Sequence, residues 1–226
     1  MATLVERAVA QPFRLGSAIR RARVFHPQGF VCRGTWTIDT AAPVAGDAEV
    51  LRAGARHDVI ARVSRGAGLP QSLPDWFAVA VRLADAYGPG RHQDLLINAS
   101  SGLPALHHLF LPAPRWFAQS YSTCLPYRAG DGLFLIGLLP PPERGPDPSL
   151  DAMRATVAGG VTFRIAVAAP LGRWQAIGTL QLREPTSGDV DFDPWNTGGG
   201  LVPAGWLNRL RREAYRQSRI ARGRPG

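Results

Sequence analysis

Near the end of the chain, Arg211, Tyr215, Arg219 and Arg222 follow one another at intervals of four, four and three residues. Those offsets fall on one face of a helix. Guanidinium groups around a tyrosine favour its phenolate over the neutral phenol, and a phenolate is a hard anionic ligand suited to ferric iron. Taken alone, the same stretch equally describes a solvated basic helix with one amphipathic tyrosine. Towards the other end, His26 lies in a β-like run between bulky apolar residues. A histidine there is either a satisfied core side chain or a group able to take and return a proton near neutrality. The His107-His108 pair has no evident third ligand and reads as loop. Cys32 and Cys124 lack ligand-like spacing to histidine or to each other, so a zinc site is not expected and two free thiols are.

These residues need a scaffold, and the chain of 226 residues is long enough for one ordinary domain with a sizeable core, read here as residues 1–226. Hydrophobic residues make up 45% and charged residues 19%, which excludes a disordered chain. No apolar run reaches the roughly 20 residues of a membrane helix. Glu6 interrupts what would be the apolar region of a signal peptide, so a cytoplasmic location is expected. The net charge is +9 without a single lysine, and residues 209–224 hold seven arginines against Glu213, or +6. Arginine's planar fork suits carboxylates and phosphates, which leaves open nucleic acid or the acid groups of a buried cofactor. A short amphipathic helix is expected over 4–21. Strands are expected at 22–26, 30–38, 57–64, 77–83, 93–97, 132–138, 160–168 and 174–182, with a brief helix at 149–158 and a final helix from about 203 to 222. The fold class is therefore mainly β with α: a closed antiparallel barrel of about eight strands with flanking N- and C-terminal helices.

Six segments, taken in order, carry a family resemblance. They are Arg23-Val24-Phe25-His26-Pro27-Gln28-Gly29, then Arg62-Val63-Ser64 with Gly68 shortly after, the DWFAVAVR run from Asp75 to Arg82, and Asp94-Leu95-Leu96-Ile97-Asn98. Phe192-Asp193-Pro194-Trp195-Asn196 and the Arg211…Tyr215…Arg222 spacing complete the set. Each is weak alone, but together and in this order they resemble the haem catalases, over roughly residues 20–222. The short chain is similar to the minimal catalase-related peroxidases.

The resemblance implies haem b, iron protoporphyrin IX, with Tyr215 as its iron ligand and Arg211 beside the phenolate. Arg23, Arg62 and Arg222 would bind the propionates, and Phe117, seven residues after Phe110, would stack on the ring. It further implies that His26 shuttles the peroxide proton, Ser64 holds the histidine ring, and Asn98 donates its amide to bound oxygen. Departures are Ile97 and Ala78 where the family has glycine, and Arg65-Gly66 where small and branched apolar residues flank the access channel. No long arm, wrapping domain, nicotinamide-carrying helical region or flavodoxin-like extension is seen.

The expected function is a haem-dependent peroxidase that reduces organic hydroperoxides and hydrogen peroxide through a ferryl intermediate, with weak catalase activity. Its partners would be a peroxide and a small-molecule reductant, the chain a monomer or homodimer without a membrane span. Alternatives are allene oxide synthase-like rearrangement of a fatty-acid hydroperoxide, a true catalase, a haem carrier or sensor, and an arginine-rich nucleic-acid binder. No nucleic-acid motif or pattern of exposed aromatics supports the last.

Overall fold

Strand after strand alternates side chains between two environments, the period-2 pattern of a sheet with one face on a core. In Arg56–Arg65, Val59, Ala61 and Val63 are buried in a common apolar cluster, while Asp58, Ile60, Arg62 and Ser64 point the other way. The computed structural model describes residues 28–204. Ten strands are present there: β1 (Gln28–Ile38), β2 (Arg56–Arg65), β3 (Phe77–Leu83), β4 (Gln93–Ala99), β5 (Tyr121–Ser122), β6 (Tyr127–Ala129), β7 (Gly132–Leu139), β8 (Val161–Ala168), β9 (Gln175–Thr186) and β10 (Val202–Pro203). One helix, α1 (Leu150–Ala158), and two single turns at Pro43–Ala45 and Glu49–Leu51 complete the regular elements.

The strands pair antiparallel in the order β5-β4-β3-β2-β1-β9-β8, and β7 pairs with both β5 and β8. That last pairing closes a ring of eight strands, which removes free sheet edges from the ring. β6 and β10 extend from β7 outside the ring. The barrel interior is apolar, with Phe30, Trp36, Val79, Leu95, Ile136 and Phe163 among its fully or almost fully buried side chains. Helix α1 starts where the Ser149 hydroxyl accepts from the Ala152 amide at 3.2 Å. Its Met153 and Val157, one turn apart, face into the same core.

The expected strands and the 149–158 helix are found within a few residues. Two differences have physical causes. β9 runs on to Thr186 because a bulge between Cys32 and Arg33 lets Val31 pair with Thr186. Pro203, read as opening the final helix, pairs instead with Tyr127 in β10, where its missing N–H is tolerated at a sheet edge. The helices expected over 4–21 and to 222, and the strand at 22–26, lie outside the described residues.

Candidate functional site

The register of the first five strands sets Gly29, Ser64, Ala78, Asn98 and Ser122 side by side in one row. The next row on the same face is Val31, Arg62, Ala80 and Leu96, and the one beyond it Arg33, Ile60, Arg82 and Asp94. This is the face of β1–β4 opposite the core. Three of its positions, Gly29, Ala78 and Ala80, carry no side chain beyond Cβ, so the face is low and flat there. The glycine clears space for Arg62: a Cβ at Gly29 would come within 2.9 Å of the Arg62 guanidinium carbon. Although they face away from the core, Ser64, Arg62 and Ala78 are buried.

Part of the cover is the segment after β9, which runs as a strap across the far row. Asp189 lies 3.7 Å from Arg62, and residues 186–190 with Val31, Arg33 and Ile60 line a cleft of about 200 Å³. Further along, the Arg82 Nε and Nη2 donate to the two oxygens of Asp94 at 2.7 and 2.6 Å, a bidentate pair. Arg82 Nη2 also donates to the Asp191 carbonyl, and its guanidinium sits 5.3 Å from the centre of the Phe192 ring. Asp94 Oδ2 accepts from the Asp193 amide at 2.8 Å and from the Asn196 side-chain amide at 3.2 Å. The Asp94 amide in turn donates to the Asn196 carbonyl. The Asp94 carboxylate, chiefly by this hydrogen bonding, holds Arg82 above its ordinary pKa despite partial burial. Three sequence segments, ending or beginning in Arg82, Asp94 and Phe192–Asn196, thus converge on one ion pair.

At the other side of the Ser64–Asn98 row, two loops leave the barrel: 66–76 between β2 and β3, and 100–120 between β4 and β5. They are joined by reciprocal amide–carbonyl bonds between Asp75 and Ala113. Arg65 turns inward beneath the first loop. It is fully buried, with Nε 3.2 Å from Asp75 Oδ2 and Nη2 donating to the Pro70 and Leu73 carbonyls. Asp75 Oδ1 accepts from the Ala67 and Trp76 amides. Arg65, expected from the sequence to reshape an access channel, is instead the brace of this loop.

Of the site residues expected from sequence, Ser64 and Asn98 share one row and Arg62 occupies the next. Phe117 stands apart from them. Its ring meets the interior Phe163 edge-on at 5.6 Å between centroids, on the core side of the sheet. Arg23, His26, Arg211, Tyr215 and Arg222 lie outside the described residues. His107 and His108 are in a loop as expected, and each ring is set between two backbone carbonyls. The His107 ring nitrogens are 3.2 Å from Ser101 O and 2.9 Å from Gly172 O, while those of His108 are 2.8 Å from Cys124 O and 3.2 Å from Pro170 O. Among the described residues, no group of three or more His, Cys, Asp or Glu side chains converges as for a metal ion. Sequence reading did not single out the Arg82–Asp94 pair. The available signal was a charged residue near one end of each of two strands, Arg82 in β3 and Asp94 in β4, which needs a partner if buried.

Small residues form the floor of the outward face of β1–β4, Arg62 at the edge suits an acid group, and Ser64 and Asn98 supply polar atoms beside the floor. No helix among the described residues is long and apolar enough to cross a membrane. No protein-family model matches the chain, and no curated protein does. Solved structures do match. A bacterial catalase superposes with a TM-score of 0.68 at 12% identity, over 100% of this chain and 62% of its own. Catalase A from Saccharomyces cerevisiae gives 0.68 at 10% identity over 93% and 63% of the two chains, and a fungal catalase 0.66 at 12% over 95% and 63%. The chain spans less than two thirds of the length of these structures, and what it shares with them is the catalase-like fold.

Proposed function

We propose that the chain is a haem-dependent peroxidase, working on organic hydroperoxides and hydrogen peroxide with weak dismutation. The observation that carries this reading is the Ser64–Ala78–Asn98 row. It is a flat, small-residue face beside Arg62, with polar groups from β2 and β4 side by side on a catalase-like barrel. Haem b would supply the redox centre that a peroxide oxidises and a small-molecule donor reduces. Tyr215 would ligate the iron through its phenolate, with Arg211 favouring the anion. Arg23, Arg62 and Arg222 would offset the propionates.

On the substrate side, His26 would take the proton from one peroxide oxygen and return it to the other, turning a hydroxide leaving group into water. Ser64, in the row, would orient that imidazole. Asn98 would donate its amide to the bound oxygen, its position fixed by the pairing of β4 with β3 and β5.

An absorption spectrum of the full chain, expressed with a haem precursor, tests the cofactor. The expected result is a Soret band with ferric high-spin features that disappears in Tyr215→Phe. A folded, colourless protein that refuses haemin would end the proposal. Turnover is tested with cumene hydroperoxide and an electron donor, where a rate no faster than free haemin would remove the peroxidase assignment.

A further inference from the structure

The bulge near the end of β9 makes two unfavourable choices at once. Its extra residue is Glu184, since Cys32 pairs with Pro185 and Arg33 with Arg183. Glu184 has a φ of +52°, a left-handed conformation that residues other than glycine seldom adopt. The same shift sets Arg33 directly opposite Arg183. Cys32 and Leu182, the residues before them in their strands, are buried in the apolar cluster, whereas both arginines are exposed on the outward face. Like charges directly opposite one another destabilise an antiparallel pair. Among the described residues, neither guanidinium has a carboxylate or a hydrogen-bond acceptor to offset the repulsion.

The bulge also shapes the space beside the arginines. Residues 186–190 leave it over the outward face and enclose, with Val31, Arg33 and Ile60, the cleft of about 200 Å³. Ile60 is the partner of Arg33 on β2, so Arg33 has an apolar neighbour on one side and Arg183 on the other. Thr186 and Ser187 bring hydroxyl-bearing side chains to the lining. Asp189 is the one acidic residue there, and its carboxylate lies 3.7 Å from Arg62, which offsets it. The cleft therefore combines an uncompensated basic side with an apolar floor.

A guanidinium fork matches a carboxylate, and an anion shared by two guanidinium groups replaces their mutual repulsion with attraction to a common charge. The floor of Val31 and Ile60 suits an apolar body better than a fully hydrated ion. Pockets for drug-sized ligands begin at about 300 Å³, so the occupant is smaller, on the order of one ring with its acid group. We infer that this cleft binds a small carboxylic acid, its carboxylate on Arg33 and Arg183 and its apolar body on Val31 and Ile60.

The cleft adjoins Arg62 through Asp189 and through Val31, the partner of Arg62 in the sheet. On the peroxidase reading, and only on it, an acid bound here is placed to act as the small-molecule reductant. Two phenolic acids would each give up one electron and one proton, and the hydroperoxide would leave as an alcohol and water.

The test is a fluorine NMR titration of the full chain with 4-fluorobenzoate, against 4-fluorobenzyl alcohol as the neutral counterpart. The native chain is expected to bind the acid at least about tenfold more tightly than the alcohol, and R33Q/R183Q to lose that advantage. Ile60→Glu sets a carboxylate opposite Arg33 and should displace the acid while both arginines remain. Both arginines are exposed, so circular dichroism should show the double variant folded. No binding by the native chain overturns the inference, as does equal binding of acid and alcohol. Undiminished binding by both variants also overturns it, because the attraction would then belong to arginines elsewhere. Displacement of the acid by an equal concentration of inorganic phosphate would reduce the cleft to a general anion site and overturn the assignment of a carboxylic acid. None of these readouts needs haem or turnover, so a colourless protein that binds the acid through the two arginines would discard the peroxidase reading and keep the site.

Discussion

Single side chains differ in how their setting changes their chemistry. Cys32 lies on the interior face of β1 with no exposure, and burial pushes its thiol up to about 12, opposed only weakly by Arg154. Such a thiol is inert towards reagents that need a thiolate. Cys124 is likewise buried, so the native chain should show no thiol reactive towards an aromatic disulfide, and two after denaturation. The raised value also sets an alkaline limit. Below the unfolded thiol's 9.0 both states are protonated and Cys32 costs nothing. Between 9.0 and about 12 only the unfolded chain ionises, so stability falls as pH rises. The loss should approach about 4 kcal/mol at the top of that window. Urea melts of the native chain and of Cys32→Ala read it: the variant starts less stable at neutral pH and loses less on going alkaline. Parallel pH profiles would refute the assignment.

His57 moves in the opposite sense. Burial lowers its value from 6.5, partly offset by Glu49, so the neutral ring is favoured in the fold. Its contribution is present above 6.5 and is lost as pH falls below it, because the unfolded chain then binds the proton first. The ring is only partly buried, so the effect is small. His57→Gln should flatten the acid limb of the stability profile just below that pH, and an unchanged limb would place the acid sensitivity elsewhere.

Among the elements, the strap after β9 depends on one carboxylate. Asp94 is fully buried and serves Arg82, the Asp193 amide and the Asn196 side chain together. Asp94→Ala would leave Arg82 without its partner in a half-buried setting and release Phe192–Asn196 from β4. Removing one member of a buried pair costs about 3–5 kcal/mol, so a loss near the lower end is expected, since Arg82 retains the Asp191 carbonyl. Asp94→Asn keeps acceptors for the strap and should lose less. Limited proteolysis locates the effect, with new cleavage expected within 186–197. Global destabilisation without cleavage there would show that the strap does not depend on Asp94.

The same elements show what was legible in the sequence. Long strands such as β2 and β8 announce themselves by alternation, and Ser149 ahead of Leu150–Ala158 is a readable helix start. β5 has no such signal, since two residues cannot display a period. It is nevertheless the link between β4 and β7, and tertiary pairing alone creates it. At the site, the motif order anticipated that Ser64 and Asn98 belong together, and the strand register places them in one row. Phe117 was misjudged in its surroundings because an interval of seven residues in a loop fixes no direction. Likewise, the inward turn of Arg65 depends on an aspartate ten residues away, which local pattern cannot reveal.

For the molecule as a whole, closure of the ring makes every strand answerable to one seam. At Gly137, β7 pairs with both Ser122 on β5 and Ala166 on β8. Gly137 faces away from the barrel core, and a Cβ there would lie 2.7 Å from the Trp174 ring and 2.8 Å from the Tyr121 carbonyl. Trp174 cannot simply withdraw, since it packs on His107 at 4.4 Å, whose ring is itself held between the Ser101 and Gly172 carbonyls. Gly137→Val should therefore force β7 away from a neighbour, at a cost of about 3 kcal/mol or more. In an open sheet such damage could stay local. In a closed ring, loss of the β5–β7–β8 contacts exposes the common interior, Trp36 on β1 included, although that strand lies across β8 and β9 from the seam. Far-UV circular dichroism and tryptophan fluorescence should accordingly give coincident urea transitions in the native chain, and both midpoints should fall together in the variant. Separate transitions for the two probes in the native protein would mean that the ring is not one cooperative unit, and an unshifted midpoint would mean that the seam at Gly137 has slack the geometry does not show.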